Sequence, residues 1–306
     1  MVDLIIIGAG PAGLSAAVYG MRAGLTLMVM EETPMGGGQV VDTHEVDNYL
    51  GLPGINGFEL GQKFRQHADA QGAVFQSGSV VRVCDGGDRK VVETADGTRY
   101  EARTVILAGG AKHAQLGVPG EDSYRGRGVS YCATCDGAFF KKRDVAVIGG
   151  GDVAVEDAVY LARFCRKVYL IHRRDSLRAA KSLQNKLFSC ENVEVVWNST
   201  LQEIGGSDLV EEITVRKSGE EEERKIAVEG VFIAVGMRPN TEPLRGTVAC
   251  DETGYIIAGE DCATNIPGIF AAGDIRTKSL RQIVTAVADG ACAVASVEKY
   301  LSSVIE

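Results

Sequence analysis

The chain opens with a hydrophobic run and a glycine-rich turn, Leu4-Ile5-Ile6-Ile7-Gly8-Ala9-Gly10-Pro11-Ala12-Gly13. The apolar run predicts a buried strand, and residues 14–23 predict the helix that follows the turn. The glycines of a GxGxxG turn allow a tight bend, close approach of the backbone to a pyrophosphate, and packing of the helix against the strand. The unpaired N–H groups of the helix N-terminus then face the phosphates. We therefore expect a dinucleotide site that includes Gly8, Gly10, Pro11, Ala12 and Gly13.

The second predicted strand of this region, residues 27–30, ends at an acidic residue, Glu31. An acidic side chain at this point of a dinucleotide-binding fold accepts hydrogen bonds from the adenosine ribose. We therefore expect Glu31 to bind the cofactor of the first site.

The same pattern returns in the middle of the chain with two changes. Residues 145–148 predict a strand, the turn reads Gly149-Gly150-Gly151-Asp152-Val153-Ala154, and residues 155–164 predict the helix. After the next predicted strand, residues 168–171, the position equivalent to Glu31 holds His172 and is followed by two arginines. Guanidinium groups pair with a 2′-phosphate that a carboxylate would repel, so this site should select NADPH over NADH. Its expected cofactor contacts are Gly149, Gly151, Asp152, Ala154, His172, Arg173, Arg174 and Arg178.

An alternative interpretation of the three arginines is a solvated basic turn before a helix, since charge runs usually lie on the surface. The matching register of the two glycine-rich motifs favours the nucleotide site.

Between the two motifs lies a pair of cysteines at redox spacing, Cys132-Ala133-Thr134-Cys135, followed by Asp136. Two cysteines separated by two residues can close a reversible disulfide, and the thiol pKa in such motifs can fall to about 7. A zinc site is the alternative, but zinc takes about four ligands, and the sequence has neither a second CxxC nor a histidine near this pair. Cys132 and Cys135 are therefore candidates for disulfide exchange, and no metal is expected.

Together these motifs resemble the low-molecular-weight, bacterial-type thioredoxin reductases, class II pyridine nucleotide-disulfide oxidoreductases, over essentially the whole chain. The resemblance includes further motifs: Gly36-Gly37-Gly38-Gln39, Cys132 to Gly137, Gly149 to Glu156, His172 to Asp175, Gly236 to Asn240, and Gly268 to Asp274 followed by Arg281-Gln282.

This resemblance implies an α/β fold with two Rossmann-like, three-layer ββα nucleotide-binding domains. Residues 1–111 and 242–306 would form the FAD-binding domain, and residues 112–241 the inserted NADPH-binding domain that carries the CxxC motif. It also implies that Asp274 hydrogen-bonds the FAD ribityl chain, although a residue that caps the next turn is the alternative. Further expected FAD contacts are Gly38, Gln39, Asn48, Ala108, Gly109, Gly273, Arg281 and Gln282.

Three of these contacts carry open questions. Gln39 and Asn48 could equally be loop residues that satisfy their own backbone. Gly109 stands where the family often has threonine, so no side-chain hydrogen bond to FAD is expected from this position.

The resemblance implies a relay of electrons. NADPH gives a hydride to FAD, reduced FAD reduces the Cys132–Cys135 disulfide, and the dithiol then reduces oxidised thioredoxin. Asp136 would act as the general acid or base of the thiol steps, although it could instead be a helix-start residue. A homodimer is expected from the resemblance alone.

Composition agrees with a cytoplasmic enzyme. The net charge of −9 disfavours nucleic acid, which asks for a basic face. No apolar run of about 18 residues predicts a membrane helix, and Met1-Val2-Asp3 runs directly into the first strand, which argues against a signal peptide. The six other cysteines show no pairing logic, which suits a reducing compartment.

Three other functions remain open on the sequence. A related FAD and CxxC enzyme could act on another acceptor, such as a peroxiredoxin-type or a small-molecule disulfide. A dithiol oxidase of the same fold would have little use for the three arginines. A redox sensor that only holds nucleotide would show no reduction of its flavin by NADPH.

Overall fold

The computed structural model describes residues 1–304 except residues 34, 44, 45, 47 and 245. The chain forms two compact units. The first comprises Met1–Lys112 and Arg238–Glu306, and the second comprises His113–Met237.

The helices and strands of the described residues are, in chain order, β1 (Val2–Ile7), α1 (Pro11–Arg22), β2 (Leu27–Glu31), α2 (Gly57–Ala70), β3 (Val74–Ser77), β4 (Val80–Asp85), β5 (Lys90–Thr94), β6 (Arg99–Leu107), β7 (Ala111–His113), β8 (Val129–Ser130), α3 (Ala133–Asp136), β9 (Asp144–Gly149), α4 (Asp152–Ala162), β10 (Lys167–Ile171), α5 (Lys181–Phe188), β11 (Val193–Val196), β12 (Ser199–Gly206), β13 (Val210–Lys217), β14 (Glu223–Ala227), β15 (Gly230–Ala234), β16 (Met237–Pro239), β17 (Ile269–Ala271) and α6 (Ile283–Val304). Short 3₁₀ turns occupy Gly38–Asp42, Gly137–Phe140, Glu242–Leu244 and Gly273–Ile275.

The first unit is built on a sheet in the order β3-β2-β1-β6-β5-β4, with β17 also paired to β6. Strands β3, β2, β1, β6 and β17 are parallel, and β5 and β4 continue the sheet in antiparallel pairing. Side chains of β1 alternate between two cores: Leu4 and Ile6 belong to one, and Ile5 belongs to the other. Burial on both faces explains why residues 4–7 of β1 form an unbroken apolar run.

The second unit repeats this arrangement with the parallel order β11-β10-β9-β15-β8. Val145 and Val147 of β9 pack in the core that contains α4 residues, whereas Ala146 and Ile148 pack in the core shared with β12, β13 and β14. These three strands form a separate antiparallel sheet. The second unit therefore has three layers: helices, a parallel sheet and an antiparallel sheet.

The predicted fold class is confirmed: the chain is an α/β protein with two Rossmann-like units. In each unit the first strand lies between the second strand and the strand that closes the nucleotide fold, which is the mononucleotide-binding topology. Each glycine-rich turn therefore lies at the carboxyl end of a central strand, where α/β sheets bind their ligands. Among the described residues, no helix is both long and apolar enough to cross a membrane.

Candidate active site and nucleotide sites

The three glycines of the first turn differ in what surrounds them. A Cβ atom on Gly8 would lie 2.5 Å from the carbonyl oxygen of Ala108, and one on Gly13 would lie 1.9 Å from the carbonyl oxygen of Gly8. The packing of the chain therefore requires glycine at both positions. Gly10, in contrast, has an ordinary φ of −77°. Apart from its chain neighbours, the described atom nearest to its would-be Cβ is the Cα of Gly38, at 3.8 Å. Its lack of a side chain leaves backbone open to a ligand, as a pyrophosphate site needs.

Helix α1 begins directly at this turn. Pro11 and Ala12 occupy its first two positions, and Gly10, its N-cap residue, provides no side-chain hydrogen bond. The first N–H groups of the helix are thus left without a side-chain cap and can bind an anion.

Glu31 lies at the end of β2 with its carboxylate against the turn. Its Oε2 accepts a hydrogen bond from the N–H of Ala9 at 2.7 Å, and Oε1 accepts one from the N–H of Thr33 at 3.1 Å. Oε1 also accepts the hydroxyl of Thr33 at 3.3 Å, so Oε2 is the oxygen with a lone pair left for a further hydrogen bond. The structure thus brings Glu31 to the glycine-rich turn, where the sequence predicts it, and holds it there by backbone contacts that the sequence does not reveal.

Asp274 lies in the 3₁₀ turn after β17, close to the start of α1. The preceding residue, Gly273, packs so near to Ala12 that a Cβ on it would lie 2.8 Å from that of Ala12. The Oδ1 atom of Asp274 and the Nε atom of Arg281 are both buried, and neither has a hydrogen-bond partner in the described part of the chain. The pKa of Asp274 lies above its usual value, because the effect of burial exceeds the opposing effect of the nearby positive charges of Lys278 and Arg281.

Buried polar groups are normally hydrogen-bonded, so this acceptor and this donor point to a bound group with hydroxyls and acceptor atoms. Together with the open backbone at Gly10, they fit a dinucleotide such as FAD.

Several other residues predicted to bind FAD are held by hydrogen bonds within the first unit. The amide of Asn48 donates to Oε1 of Gln282 at 3.0 Å, and the amide of Gln39 donates to the carbonyl oxygen of Ala111. The carbonyl oxygen of Gly109 accepts a hydrogen bond at 2.7 Å from the side chain of Asn240, which was not among the predicted site residues. A Cβ at Gly109 would make only ordinary van der Waals contacts with the described residues beyond its chain neighbours, the nearest at 3.6 Å.

The second turn likewise contains glycines that the packing requires and one that lies open. A Cβ on Gly149 would lie 2.5 Å from the carbonyl oxygen of Ala234, and one on Gly150 would lie 2.2 Å from the ring of His172. Gly151 has an ordinary φ of −92°, and among the described residues no atom beyond its chain neighbours and its own helix lies within 4 Å of its would-be Cβ. The second unit therefore also presents open backbone at the start of a helix, α4, whose N-cap has no side-chain hydrogen bond.

His172 is buried beneath this turn rather than exposed beside it. Its Nε2 lies 3.0 Å from the carbonyl oxygen of Ser176, and its ring contacts Trp197 edge to face. The structure thus shows His172 supporting Gly150, and its contact with a cofactor stays a prediction.

The three predicted arginines, Arg173, Arg174 and Arg178, are exposed and form no ion pair with any described residue. The loop that carries them is tied to the turn, because the N–H of Arg178 donates to the carbonyl oxygen of Gly150 at 2.8 Å. Asp152 adds a second tie by accepting the N–H of Ala180 at 2.7 Å. Exposed arginines, held beside an open helix N-terminus, suit a phosphate ligand.

Cys132 and Cys135 are joined by a disulfide with a Cα–Cα distance of 5.3 Å. Cys132 is the N-cap residue of the one-turn helix α3, and both cysteines are half-buried. A disulfide within one helical turn that solvent can reach is suited to thiol exchange.

The carboxylate of Asp136 is held by a residue outside the predicted site, Ser130. Ser130, at the end of β8, donates its hydroxyl to Oδ2 of Asp136 at 2.6 Å and accepts the N–H of Cys132 at 3.1 Å. Nothing in the motif marks Ser130, because the contact spans six positions and depends on how β8 meets α3.

Tyr131, directly before Cys132 in the chain, makes two further contacts that the sequence motifs do not predict. The hydroxyl of Tyr131 donates to Oε1 of the buried Glu121 at 2.7 Å, and its ring stacks on His113 with centroids 5.1 Å apart. Burial, followed by the hydrogen bond to Glu121, raises the pKa of Tyr131.

Comparison with known proteins places these features in a family context. Residues 2–290 match the family model described as pyridine nucleotide-disulphide oxidoreductase. A Bacillus subtilis protein named thioredoxin reductase is 49% identical over 312 residues, covering 99% of this chain and 96% of that protein. The corresponding Listeria innocua protein is 48% identical over 306 residues, covering 99% and 95%. The crystal structure of thioredoxin reductase from Streptococcus pyogenes superposes with a TM-score of 0.92 at 46% identity, covering 99% of each chain.

Proposed function

This chain belongs to the pyridine nucleotide-disulphide oxidoreductase family, and from that premise we propose that it reduces the disulfide of thioredoxin with NADPH. The observation that carries the proposal is the Cys132–Cys135 disulfide, because it lies in the same unit as a glycine-rich turn flanked by exposed arginines. Among CxxC proteins, this combination is what an NADPH-driven disulfide reductase needs.

We assign FAD to the first unit and NADPH to the second. The contacts for FAD are the turn at Gly10, the Glu31 carboxylate and the buried, unsatisfied atoms of Asp274 and Arg281. The contacts for NADPH are the turn at Gly151 and the three exposed arginines, Arg173, Arg174 and Arg178. When bound, the two cofactors supply the pair of electrons that opens the Cys132–Cys135 disulfide.

The chain's own residues carry out the exchange with the partner. Opening the disulfide takes two electrons and two protons and gives two thiols. One thiolate then attacks a sulfur of oxidised thioredoxin to form a mixed disulfide, and the second thiolate resolves it. The enzyme disulfide is restored and thioredoxin leaves as a dithiol. Asp136, next to Cys135 in the chain, supplies and receives a proton in these steps.

The partner, oligomeric state and location belong to the same proposal. The partner is thioredoxin, the enzyme is a homodimer, and it works in the cytoplasm. The location is supported by the cysteines outside the CxxC motif, all six of which are free thiols, as expected in a reducing compartment.

The proposal is tested by anaerobic stopped-flow spectroscopy of the flavin-loaded protein. NADPH should reduce the flavin much faster than NADH does, and oxidised thioredoxin should reoxidise it through the disulfide. In Cys135→Ser, reduction by NADPH should persist while reoxidation by thioredoxin disappears. Cys190→Ser is the matched control, since Cys190 is a free cysteine of the same unit. Its kinetics should match those of the wild type.

The other outcomes identify the competing functions. A flavin that NADPH leaves oxidised would contradict the donor assignment. A flavin that NADPH reduces but thioredoxin does not reoxidise would show that the acceptor is another disulfide. In a parallel aerobic run with a dithiol as donor, rapid reoxidation of the flavin by oxygen would indicate a dithiol oxidase.

A further inference from the structure

Ser130 occupies an unusual position between the disulfide and the carboxylate of Asp136. The side chain is buried, with 6% of its surface exposed. Its Oγ lies 2.6 Å from Oδ2 of Asp136, 3.1 Å from the backbone nitrogen of Cys132 and 3.3 Å from the carbonyl oxygen of Cys132. One hydroxyl thus has a donor and two acceptors within reach.

A serine hydroxyl has one proton to donate and two lone pairs to accept with. When Asp136 is ionised, the hydroxyl proton points to Oδ2, and Oγ accepts the N–H of Cys132. When Asp136 is protonated, its O–H can donate to Oγ, and the hydroxyl proton turns to the carbonyl oxygen of Cys132. Each arrangement uses only the distances that the structure already contains.

From this geometry we propose that Ser130 is a positioning residue that lets Asp136 gain and lose a proton without moving. The proposal rests on the proposed function, in which Asp136 exchanges protons during the thiol steps. The Ser130 hydroxyl is buried, so a hydroxyl that could not follow the change in charge of Asp136 would be left with its proton facing no acceptor, at a substantial free-energy cost. Ser130 removes that cost by turning its proton from one acceptor to the other.

A purely structural role for Ser130 would leave a different signature. In that case its hydroxyl would fasten β8 to α3, and its removal would lower stability and activity equally at all pH values. If Ser130 instead serves both charge states of Asp136, its removal must change the pH dependence. The ionised state loses more, because hydrogen bonds to charged groups are roughly twice as strong as neutral ones. Removal of the hydroxyl should therefore move the titration of Asp136 to higher pH.

Other titratable groups near α3 must be separated from Asp136. The segment itself contains Cys132 and Cys135, and the 3₁₀ turn Gly137–Phe140 has no titratable side chain. Helix α4 packs against α3 and carries Asp152, Glu156, Asp157 and Tyr160. Burial raises the pKa of Asp157 to about 7, with a smaller contribution from the Glu156 carboxylate. The two thiols contribute their own ionisation to the profile of every variant. Asp157 is the competing carboxylate, and Asp157→Asn distinguishes it from Asp136.

The experiment measures the rate at which iodoacetamide alkylates the reduced Cys132–Cys135 pair of the flavin-loaded protein as a function of pH. Mass spectrometry of the peptide that contains both cysteines separates them from the six other thiols. Ser130→Ala should move the acidic limb of the profile upward by about one pH unit or more. Ser130→Thr keeps the hydroxyl and should restore the wild-type limb. Ser199→Ala is the matched control, because Ser199 is another buried serine of this unit, with its hydroxyl on the carbonyl oxygen of Trp197 at 2.8 Å.

Three results would overturn the proposal: an unmoved limb in Ser130→Ala, an equal displacement in Ser199→Ala, or a limb that Asp157→Asn displaces and Asp136→Asn does not. If Ser130→Ala does not fold, Ser130→Gly provides the same test, since it also removes the hydroxyl. The alkylation needs neither NADPH nor thioredoxin. An unmoved limb in an enzyme that reduces thioredoxin therefore contradicts the role of Ser130 alone, whereas a displaced limb in a protein inactive on thioredoxin contradicts the proposed function.

Discussion

Replacing Gly151 by alanine separates the needs of the fold from those of the ligand. The φ of −92° suits alanine, and no described atom beyond the neighbouring residues and the helix itself lies within 4 Å of the new Cβ. Alanine is a poorer N-cap than glycine by about 1 kcal/mol, while the lower entropy of the unfolded chain returns about 0.4–1 kcal/mol. The free energy of unfolding should therefore change by less than about 1 kcal/mol.

The same methyl group should strongly weaken NADPH binding. It would lie on the open backbone at the start of α4, where we place the pyrophosphate. Forcing one extra carbon into a packed contact costs about 1–3 kcal/mol, which corresponds to a loss of affinity of about 5-fold to 150-fold. Isothermal titration of the flavin-loaded protein with NADP⁺ measures this loss, and the bound FAD content should stay at the wild-type level.

Gly150→Ala is the matched comparison one residue away. Its Cβ would lie 2.2 Å from the buried ring of His172, so the ring would have to move. This variant should lose thermal stability, whereas Gly151→Ala should lose only NADPH affinity. Wild-type affinity in Gly151→Ala, or a fall in its stability equal to that of Gly150→Ala, would refute the reasoning.

Three further expectations follow from the structure. Replacing the three exposed arginines after β10 by alanine should lower kcat/KM for NADPH by at least about 10-fold, since each charge-assisted hydrogen bond contributes about 1.5–3 kcal/mol. The kcat/KM for NADH should stay unchanged. Equal losses with both donors would contradict the assignment of these arginines to the 2′-phosphate. Asp274→Ala should raise the dissociation constant of FAD by about 10-fold or more, as measured by flavin fluorescence, and an unchanged constant would exclude this contact. Burial alone would raise the pKa of Asp289, but hydrogen bonds from Arg276 and Lys278 outweigh it and hold this pKa below its usual value. Its contribution to stability is therefore present above about pH 4 and lost as the pH falls through the lowered pKa. Asp289→Asn should lower the free energy of unfolding by about 3–5 kcal/mol at pH 7. This free energy, measured by denaturant unfolding, should fall less steeply in acid for the variant than for the wild type. Parallel curves of stability against pH would contradict this.

The sequence was sufficient to predict the elements that build both nucleotide folds. The apolar run at residues 4–7 lies within β1 (Val2–Ile7), and residues 168–171 lie within β10 (Lys167–Ile171). Both strands are buried on two faces, so their hydrophobicity is continuous and easily recognised. Helix α1 was predicted at residues 14–23, but it begins three residues earlier, at Pro11, so the last residues of the glycine-rich turn already belong to the helix.

The contacts that tune the site could not be predicted in the same way. Ser130 and Asp136 meet because β8 ends beside α3, and no local pattern encodes that meeting. The position of His172 was predicted from its register after the second strand, but its burial depends on Gly150, which leaves the space for its ring. Such side-chain contacts are set by tertiary packing, which propensity and periodicity do not describe.

The geometry of the two glycine-rich turns supports two nucleotide sites more strongly than their sequence motifs do. In both units a Cβ on the first glycine would lie 2.5 Å from the carbonyl oxygen of an alanine just past, or at the end of, the neighbouring strand: Ala108 in the first unit and Ala234 in the second. The third position differs, because Gly13 has no room for a methyl group whereas the second unit accommodates Ala154. Both turns also share an open glycine two residues after the first, Gly10 in the first unit and Gly151 in the second, that the packing of the turn does not require. Since neither fold requires glycine there, a ligand on each turn is the simplest physical reason for it.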